Sequence, residues 1–551
     1  MDSATLRTWF ARNRVLLAIV LIAGGLYALG PIAGSSPAAF SSPDEMVNYR
    51  FAQRVGENGR IWFPEPGNTT AVSVIGPRNT IPQYGRIVPG GFLGMPFWYG
   101  TFNAVTRIPL VTLAIGVALG GVVALFLIAR TVFGEGTARR ATLLLLLLTP
   151  YWYLTLRPFT QQLAFVAFFL MGIACALRFA HRPSLLRATL AAALLGIAST
   201  MRYNELIWVL PLASVGLWRM RRLLTPTVIA GLVGGWAIAW LPILALHHGL
   251  YGNWFETGYL SLSDEPLTGT LQSLRVSGQS VPHVILTVLL PFGFDAGLLL
   301  THIGRYLGTF LPWWALFGTM GIVGAMRRPR TARVRTYGVL LLLVAGFQVI
   351  ATGSGKVFGA ATEYAGPILG ASFVRYWLLV YVGFLPFVAE GMRGALMRLS
   401  SSFVRASAVV VLIAFVVVQA LTTVIGDPAF GTAQLRRDAE QHLRHQVALR
   451  QYVRPADLVV AGAFDKELFP AFRVIGYGRF RNPQALVLKL APGLERQNVY
   501  WLLADPDERR SLQGAAAQAG AHFVRVATID QQMILYRLER LTGDAPDAML
   551  E

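Results

Sequence analysis

"SSPDEMVNYRF" (residues 41–51) follows the first long apolar run of the chain, and whether its two acids only open a helix or also carry chemistry decides how the whole chain is read. Locally, Ser42-Pro43-Asp44-Glu45 is a complete helix opening. Ser stands at the N-cap, Pro at the first helical position, acids lie against the positive helix end, and Glu follows Ser by three residues as in a capping box. Beyond it, Val47, Phe51 and Val55 recur at four-residue spacing until Gly56 and Gly59 end the pattern, which predicts a short amphipathic helix along a membrane face. A functional role for Asp44 and Glu45 has to be argued over and above that capping role.

Around this stretch the chain is apolar: 54% of its 551 residues are hydrophobic, 14% are charged, and the mean hydropathy is +0.52. That excludes a set of soluble domains and predicts a polytopic α-helical membrane protein. The net charge of +20 does not indicate nucleic acid, because the basic residues cluster in short loops between apolar runs, where they orient helices and meet anionic membrane lipids. The single cysteine, Cys175, lies in an apolar run and excludes an intrachain disulfide. Residues 15–34, preceded by Arg7, Arg12 and Arg14, have features of a signal peptide but are long enough to cross a bilayer, and they read as a retained first span.

Apolar runs near 15–34, 108–130, 141–156, 162–180, 186–201, 205–218, 225–247, 305–326, 336–352, 373–391 and 405–425 predict about eleven transmembrane helices. Arginines at 130–140, 178–187, 219–222, 327–335 and 393–405 occupy every second loop, as does the basic N-terminus, so these face the cytoplasm. The loop 35–107, hairpins at 157–161 and 201–205, loops 248–304 and 353–372, and everything after 426 are then external. The expected organisation is a transmembrane domain over 1–426 and an extracytoplasmic α/β domain over 427–551. In the tail, "DLVVAG", "ALVLKL", "VYWLLA", "HFVRVA" and "QMILYRL" read as short strands and "PDERRSLQGAAAQAG" as a helix. No Gly-rich phosphate loop follows its first strand, so a nucleotide site is not expected there.

The first external loop is too polar to span and too long to be a mere connection. Its second part, "GRIVPGGFLGMPFWYGTFNAVTR" (85–107), is aromatic, broken by Gly and Pro, and almost uncharged, which suits an interfacial segment. With the amphipathic helix it would roof a cavity opening toward lipid, or simply cap the helices.

An uncleaved first span, "PDE" opening an amphipathic helix, the aromatic segment "GMPFWYGTFNAV" and then span after span resemble the GT-C membrane glycosyltransferases, in particular the bacterial aminoarabinose transferase and protein O-mannosyltransferase branch. The resemblance covers residues 10–425 in layout. "GIASTMRYNELIWVLPL" (196–212) resembles the family's external hairpin near the donor phosphate, and "FVRYWLLVYVGFLPF" (373–387) its Arg-Tyr segment opening a late span. The resemblance implies a polyprenyl-phosphate-linked sugar as donor, used outside the cytoplasm, with Asp44 as catalytic base and Glu45 as second acid. It implies an inverting transfer to a cell-envelope glycan, lipid or protein, in a bacterial inner membrane.

Chemistry fits that implication. A hydroxyl acceptor is a poor nucleophile until a carboxylate takes its proton, and the departing lipid phosphate needs a cation or a metal. Arg202, Lys356, Arg375 and Tyr376, all expected on the external side, are the candidates for the donor phosphate. The competing roles are an ion pair with Glu205 for Arg202 and ordinary helix-end placement for Arg375. Some relatives hold a divalent ion, but His247, His248, Glu256, Asp264, Glu265, His283 and His302 have no spacing that assigns metal ligands. Two rival readings remain. A transporter or flippase of lipid-linked sugars would need buried charge at mid-membrane depth, where Asp295 and Glu390 are the few candidates. A non-catalytic scaffold would leave Asp44 as an exposed cap.

Overall fold

The computed structural model describes residues 3–32, 40, 42–69, 74–258, 289–290, 293–327, 332–354, 369–427, 430–462, 464–477, 483–503, 506–530 and 533–541. After helix α1 (Ser3–Ile32) come α2 (Pro43–Asn58) and α3 (Gly94–Thr106), which flank a small sheet, and then the helical body. Its helices are α4 (Leu110–Phe133), α5 (Glu135–Leu146), α6 (Thr149–Leu156), α7 (Gln161–His181), α8 (Leu185–Met201), α9 (Leu206–Arg219) and α10 (Pro226–Tyr251). They continue as α11 (Ala296–His302), which runs on as a π-helix to Thr309, then α12 (Pro312–Arg327), α13 (Ala332–Gly353), α14 (Ser372–Tyr376), α15 (Leu378–Leu396) and α16 (Ser402–Gly426).

Each expected apolar run falls on a helix or a broken helix pair, but fewer of them are full spans. Among the described residues, six helices (α4, α7, α10, α13, α15, α16) are long and apolar enough to cross a membrane, or eight if two bent pairs each count as one. The chain is a multi-pass membrane protein. The differences from about eleven have local causes. The run 141–156 is divided at Leu147-Leu148, because Pro150 lacks the N–H that a continuous helix would use and its ring would clash with the carbonyl four residues back, so it sits in the first turn of a new helix. Between α8 and α9 the chain turns by 120° at Arg202, at the hairpin expected over 201–205. Helix α1 carries the expected first run as far as Ile32.

In the first long loop, β1 (Phe63–Pro64), β2 (Thr80–Gln83) and β3 (Arg86–Pro89) form an antiparallel sheet ordered β1-β3-β2, with Ile81 opposite Val88. Residues 85–107 thus resolve into a strand and a helix. Helix α3 crosses α2 closely enough that a Cβ on Gly100 would sit 2.5 Å from Val55 Cβ and 2.6 Å from the Ala52 carbonyl oxygen. Only glycine permits that approach.

The C-terminal domain follows α17 (Thr432–Leu449). Its five-stranded sheet is ordered β5-β4-β6-β8-β7, from β4 (Leu458–Ala461), β5 (Arg473–Gly476), β6 (Val499–Leu503), β7 (Ala521–Asp530) and β8 (Met533–Arg540). Strand β4 is parallel to β5 and β6, and β8 is antiparallel to β6 and β7. Four of the expected strands are present. "ALVLKL" is instead a helix, α18 (Pro483–Leu490), because Pro483 starts it and Leu486, Val487 and Leu490 bury one helical face. The helix expected in "PDERRSLQGAAAQAG" is α19 (Pro506–Gln518), with Asp507 and Glu508 in its first turn.

This domain docks on the first loop. Gly476 N–H donates to the Gly76 carbonyl at 3.0 Å, Glu65 pairs with Arg473 at 2.7 Å, and Phe63 meets Phe469 edge-on at 4.9 Å. Loop and domain therefore share one face of the membrane. Arg130, about 20 residues along α4 and so roughly 30 Å away, lies at the other face.

Candidate active site beside the C-terminal domain

Helix α2 is opened as its sequence specifies. Ser42 is extended (φ −132°, ψ 152°), its hydroxyl accepts the Glu45 N–H at 3.3 Å, Pro43 takes the first turn, and Gly59 ends the helix in left-handed backbone at φ 66°. Val47, Phe51 and Val55 are all buried, as their spacing requires. What the local pattern does not specify is the work of the two acids.

Glu45 is buried and its carboxylate meets the Arg157 guanidinium at 2.7 Å, where both side chains are at most 10% exposed. Arg157 also donates to the Tyr153 hydroxyl and lies over that ring, 5.1 Å from its centre. Burial alone would lower the Arg157 pKa, but Glu45 and Tyr153 outweigh it and hold the guanidinium charged. One turn along α2, Asn48 donates to the Phe159 carbonyl at 2.8 Å and accepts from Gln161 at 3.4 Å, so α2 is fastened to the 157–161 hairpin.

Asp44 is half-buried and accepts a 2.6 Å hydrogen bond from the Asn79 amide. Asn79 has left-handed backbone, φ 59°, which for a residue other than glycine marks a constrained position. Its neighbour Arg78 supplies the constraint. The fully buried Asp465 of the C-terminal domain accepts from the Arg78 main-chain N–H at 2.5 Å and from its guanidinium at 2.9 and 3.0 Å. The next residue, Lys466, is within electrostatic reach of Glu45. Burial pushes its ammonium below the ordinary lysine value, with Glu467 and Glu45 pulling the other way and Arg78 adding to the fall.

The other candidates continue this cluster. Arg375 on α14 donates to Ser372 at 3.0 Å, lies 5.8 Å from the Tyr376 ring centre, and is within electrostatic reach of Tyr153. Arg202, at the α8/α9 turn, lies 4.9 Å from the centre of the same Tyr376 ring, so both guanidiniums meet one aromatic ring. Arg202 is buried and also donates to Glu205 at 2.8 Å, the expected local ion pair. Glu205 in turn accepts from Gln348 at 3.1 Å and from the Trp208 indole. Lys356 lies outside the described residues. Arg157, Asn79 and Lys466 are members that sequence reasoning did not single out. For Arg157 the signal was there: it is the one cation on a hairpin that the charge pattern assigns to the external side.

Among the described residues, no three His, Cys, Asp or Glu side chains converge as a metal site would require. Glu45 is committed to Arg157, so the described cluster does not offer the donor set of a divalent ion. Asp264, Glu265 and His283 lie outside the described residues. His247 instead bonds the Tyr203 hydroxyl and the Trp254 carbonyl, at 2.9 and 3.2 Å. Of the two acids a transporter would use, Asp295 caps α11 by accepting the Leu298 N–H at 3.0 Å, and Glu390 is paired with Arg140 at 3.3 Å.

The helical body, the long first loop and the α/β domain recur together in a crystal structure of ArnT from Cupriavidus metallidurans in the apo state. It matches with a TM-score of 0.52 over 96% of this chain and 98% of that one, at 16% sequence identity. The chain has the GT-C fold. Archaeal oligosaccharyltransferase AglB from Archaeoglobus fulgidus, in complex with an inhibitory peptide and a dolichol-phosphate, is a more distant GT-C likeness. Its TM-score is 0.48 and its identity 13%, over 98% of this chain and 76% of that one. No protein-family model and no curated protein sequence matches the chain. The fold that the sequence layout resembles is thus also the one that its architecture matches.

Proposed function

We propose that this chain is a membrane glycosyltransferase that moves a sugar from a polyprenyl-phosphate-linked donor to a hydroxyl of an extracytoplasmic acceptor: a cell-envelope glycan, a lipid or a protein. The observation that carries the reading is the cluster that runs from Glu45 on α2 through its contacts with Arg157 and Tyr153 to Arg375, which lies within electrostatic reach of Tyr153, and on to Tyr376 and Arg202. It ties Glu45, the neighbour of the half-buried Asp44, to a group of cations at the membrane face that carries the C-terminal domain. Asp44 takes the acceptor proton as its oxygen bonds to the anomeric carbon, and the sugar–phosphate bond breaks with its electron pair going to the lipid phosphate. A single displacement of this kind inverts the anomeric centre. Arg375, with Tyr376 beneath it, meets the phosphate charge as it develops, and Lys356 and Arg202 are the further phosphate candidates. Glu45 acts through Arg157, which it holds in place. The short loops rich in arginine mark the cytoplasmic side under the positive-inside rule, so the reading puts the C-terminal domain outside the cytoplasm, in a bacterial inner membrane.

The test is release of polyprenyl phosphate from a lipid-linked sugar by the purified chain. Asp44→Asn keeps the acceptor of the Asn79 hydrogen bond but cannot take a proton, so turnover should fall about a hundredfold to ten-thousandfold with stability little changed. Ser42→Ala should instead lower stability by about 1 kcal/mol and leave activity per folded molecule intact. Full turnover in Asp44→Asn would remove Asp44 as the base.

A further inference from the structure

At the membrane face opposite the candidate active site, two adjoining cavities share Thr131, Leu177 and His181. One, of about 560 Å³, is a slot between α4, α7, α9, α13 and α15 with walls that include Phe169, Trp208, Leu340, Val344 and Leu379. That volume is within the roughly 300–1,000 Å³ of ordinary ligand sites. The other, of about 460 Å³, is lined by Arg130, Arg178, Arg182 and Arg187 together with His181.

The local sequence explains why these cations meet. Arg130 is in the last turn of α4, Arg178 in the last turn of α7, Arg182 just past its end, and Arg187 in the first turn of α8. The tight 182–184 connection is held by Ser184, whose hydroxyl accepts the Arg187 N–H, and by Arg187 donating to the Arg182 carbonyl. The N-terminal end of α8 adds its own positive potential. Among the described residues, none of these four arginines pairs with a carboxylate. A second cationic group, Arg219 with Arg333, lines the apolar slot, and Arg219 donates to Thr336 at 2.8 Å. An inorganic anion would have no use for the slot, and a neutral apolar ligand none for the arginines.

We infer that the two cavities form one binding site for an anionic diacyl phospholipid of the leaflet opposite the active site, with its phosphate among Arg130, Arg178, Arg182 and Arg187 and an acyl chain in the slot. Basic pockets between transmembrane helices recognise acidic headgroups in this way, each cation near the surface adding to the attraction. The site stands apart from the glycosyltransferase reading. It involves no residue of the acid pair, and its deep end touches the active-site cluster only at Trp208, whose indole donates to the Glu205 carboxylate.

The experiment uses the full chain in phosphatidylcholine nanodiscs, titrated with phosphatidylglycerol and read by native mass spectrometry. A phosphatidylglycerol carrying a photoactivatable acyl chain maps the contact. Phosphatidylglycerol should be retained over phosphatidylcholine and cross-link to α4, α7 or α13. Arg178→Gln with Arg182→Gln, both exposed positions outside the core, should weaken its retention about fivefold per arginine, roughly 25-fold together. Arg436→Gln with Arg437→Gln, exposed on α17 at the other face, should leave it unchanged. Equal retention of the two lipids, equal loss in both double variants, cross-links confined to other helices, or displacement of phosphatidylglycerol by an equal amount of polyprenyl phosphate would each overturn the assignment.

Discussion

Replacing Arg157 by Gln is the sharpest perturbation the site offers, because it separates the structural from the chemical work of the acid pair. Arg157 and Glu45 meet at 2.7 Å with side chains 10% and 7% exposed. At an effective dielectric near 20, their attraction is on the order of 6 kcal/mol, and desolvating two ions costs several kcal/mol each, so the pair itself comes close to balance. Removing one partner does not. Arg157→Gln leaves Glu45 charged and buried and should cost about 3–5 kcal/mol, and Glu45→Gln should cost a comparable amount by stranding Arg157. Local capping alone would rank Glu45→Gln as mild, since Gln can complete a capping box. The buried partner reverses that ranking. The double variant, with Gln at both positions, strands no charge and should recover most of the loss. The assay is unfolding of the purified chain in detergent by titrated sodium dodecyl sulfate, followed by far-ultraviolet circular dichroism, with Asp44→Asn alongside. If Arg157→Gln is as stable as the parent, or the double variant is less stable than either single one, the pair is not the buried ion pair described.

Three further outcomes follow from the packing. Asp465→Asn loses the charge that grips Arg78 and should destabilise by about 1–3 kcal/mol. Because Arg78 adjoins Asn79, the hydrogen-bond partner of Asp44, it should also lower turnover per folded molecule. Gly100→Ala puts a Cβ 2.5 Å from that of Val55 and should cost about 1–3 kcal/mol by thermal denaturation, with nearby substitutions at exposed positions neutral. In a Cys175→Ser background, an impermeant maleimide added to intact cells should label Arg450→Cys and not Arg335→Cys, both exposed positions. The reverse pattern would invert the topology.

What could be read in the sequence was local or periodic. Ser42, Pro43 and Gly59 announce α2 because caps act within one turn, and Val47, Phe51 and Val55 announce its buried face because a helix repeats every 3.6 residues. β6 and β8 were legible as apolar β-rich runs of five and eight residues. β5, four residues long and ending in Gly476, was not, and the sheet of the first loop has strands of only two to four residues. The misread "ALVLKL" shows the ambiguity of a short apolar run, which burial on a helical face resolved once Pro483 had set the start.

The partners of the acids were hidden for a different reason. Asn48 meets a carbonyl 111 residues away, and Arg78 meets Asp465 across 387. No local periodicity encodes which distant charge a side chain will face, because that choice is made by how the helices and the C-terminal domain pack. Yet the same positions break local rules. Glu45 is a charged residue buried on its helix, Arg157 is a cation whose side chain is only 10% exposed, and Asn79 holds a backbone that glycine adopts more readily. Each exception has a cost that only a tertiary partner offsets: Arg157 for Glu45, Glu45 for Arg157, and for Asn79 the Asp465 clamp on its neighbour. That the three converge on α2, beside the one half-exposed acid of the pair, is a physical reason to place the chemistry at Asp44 that does not depend on any likeness to other proteins.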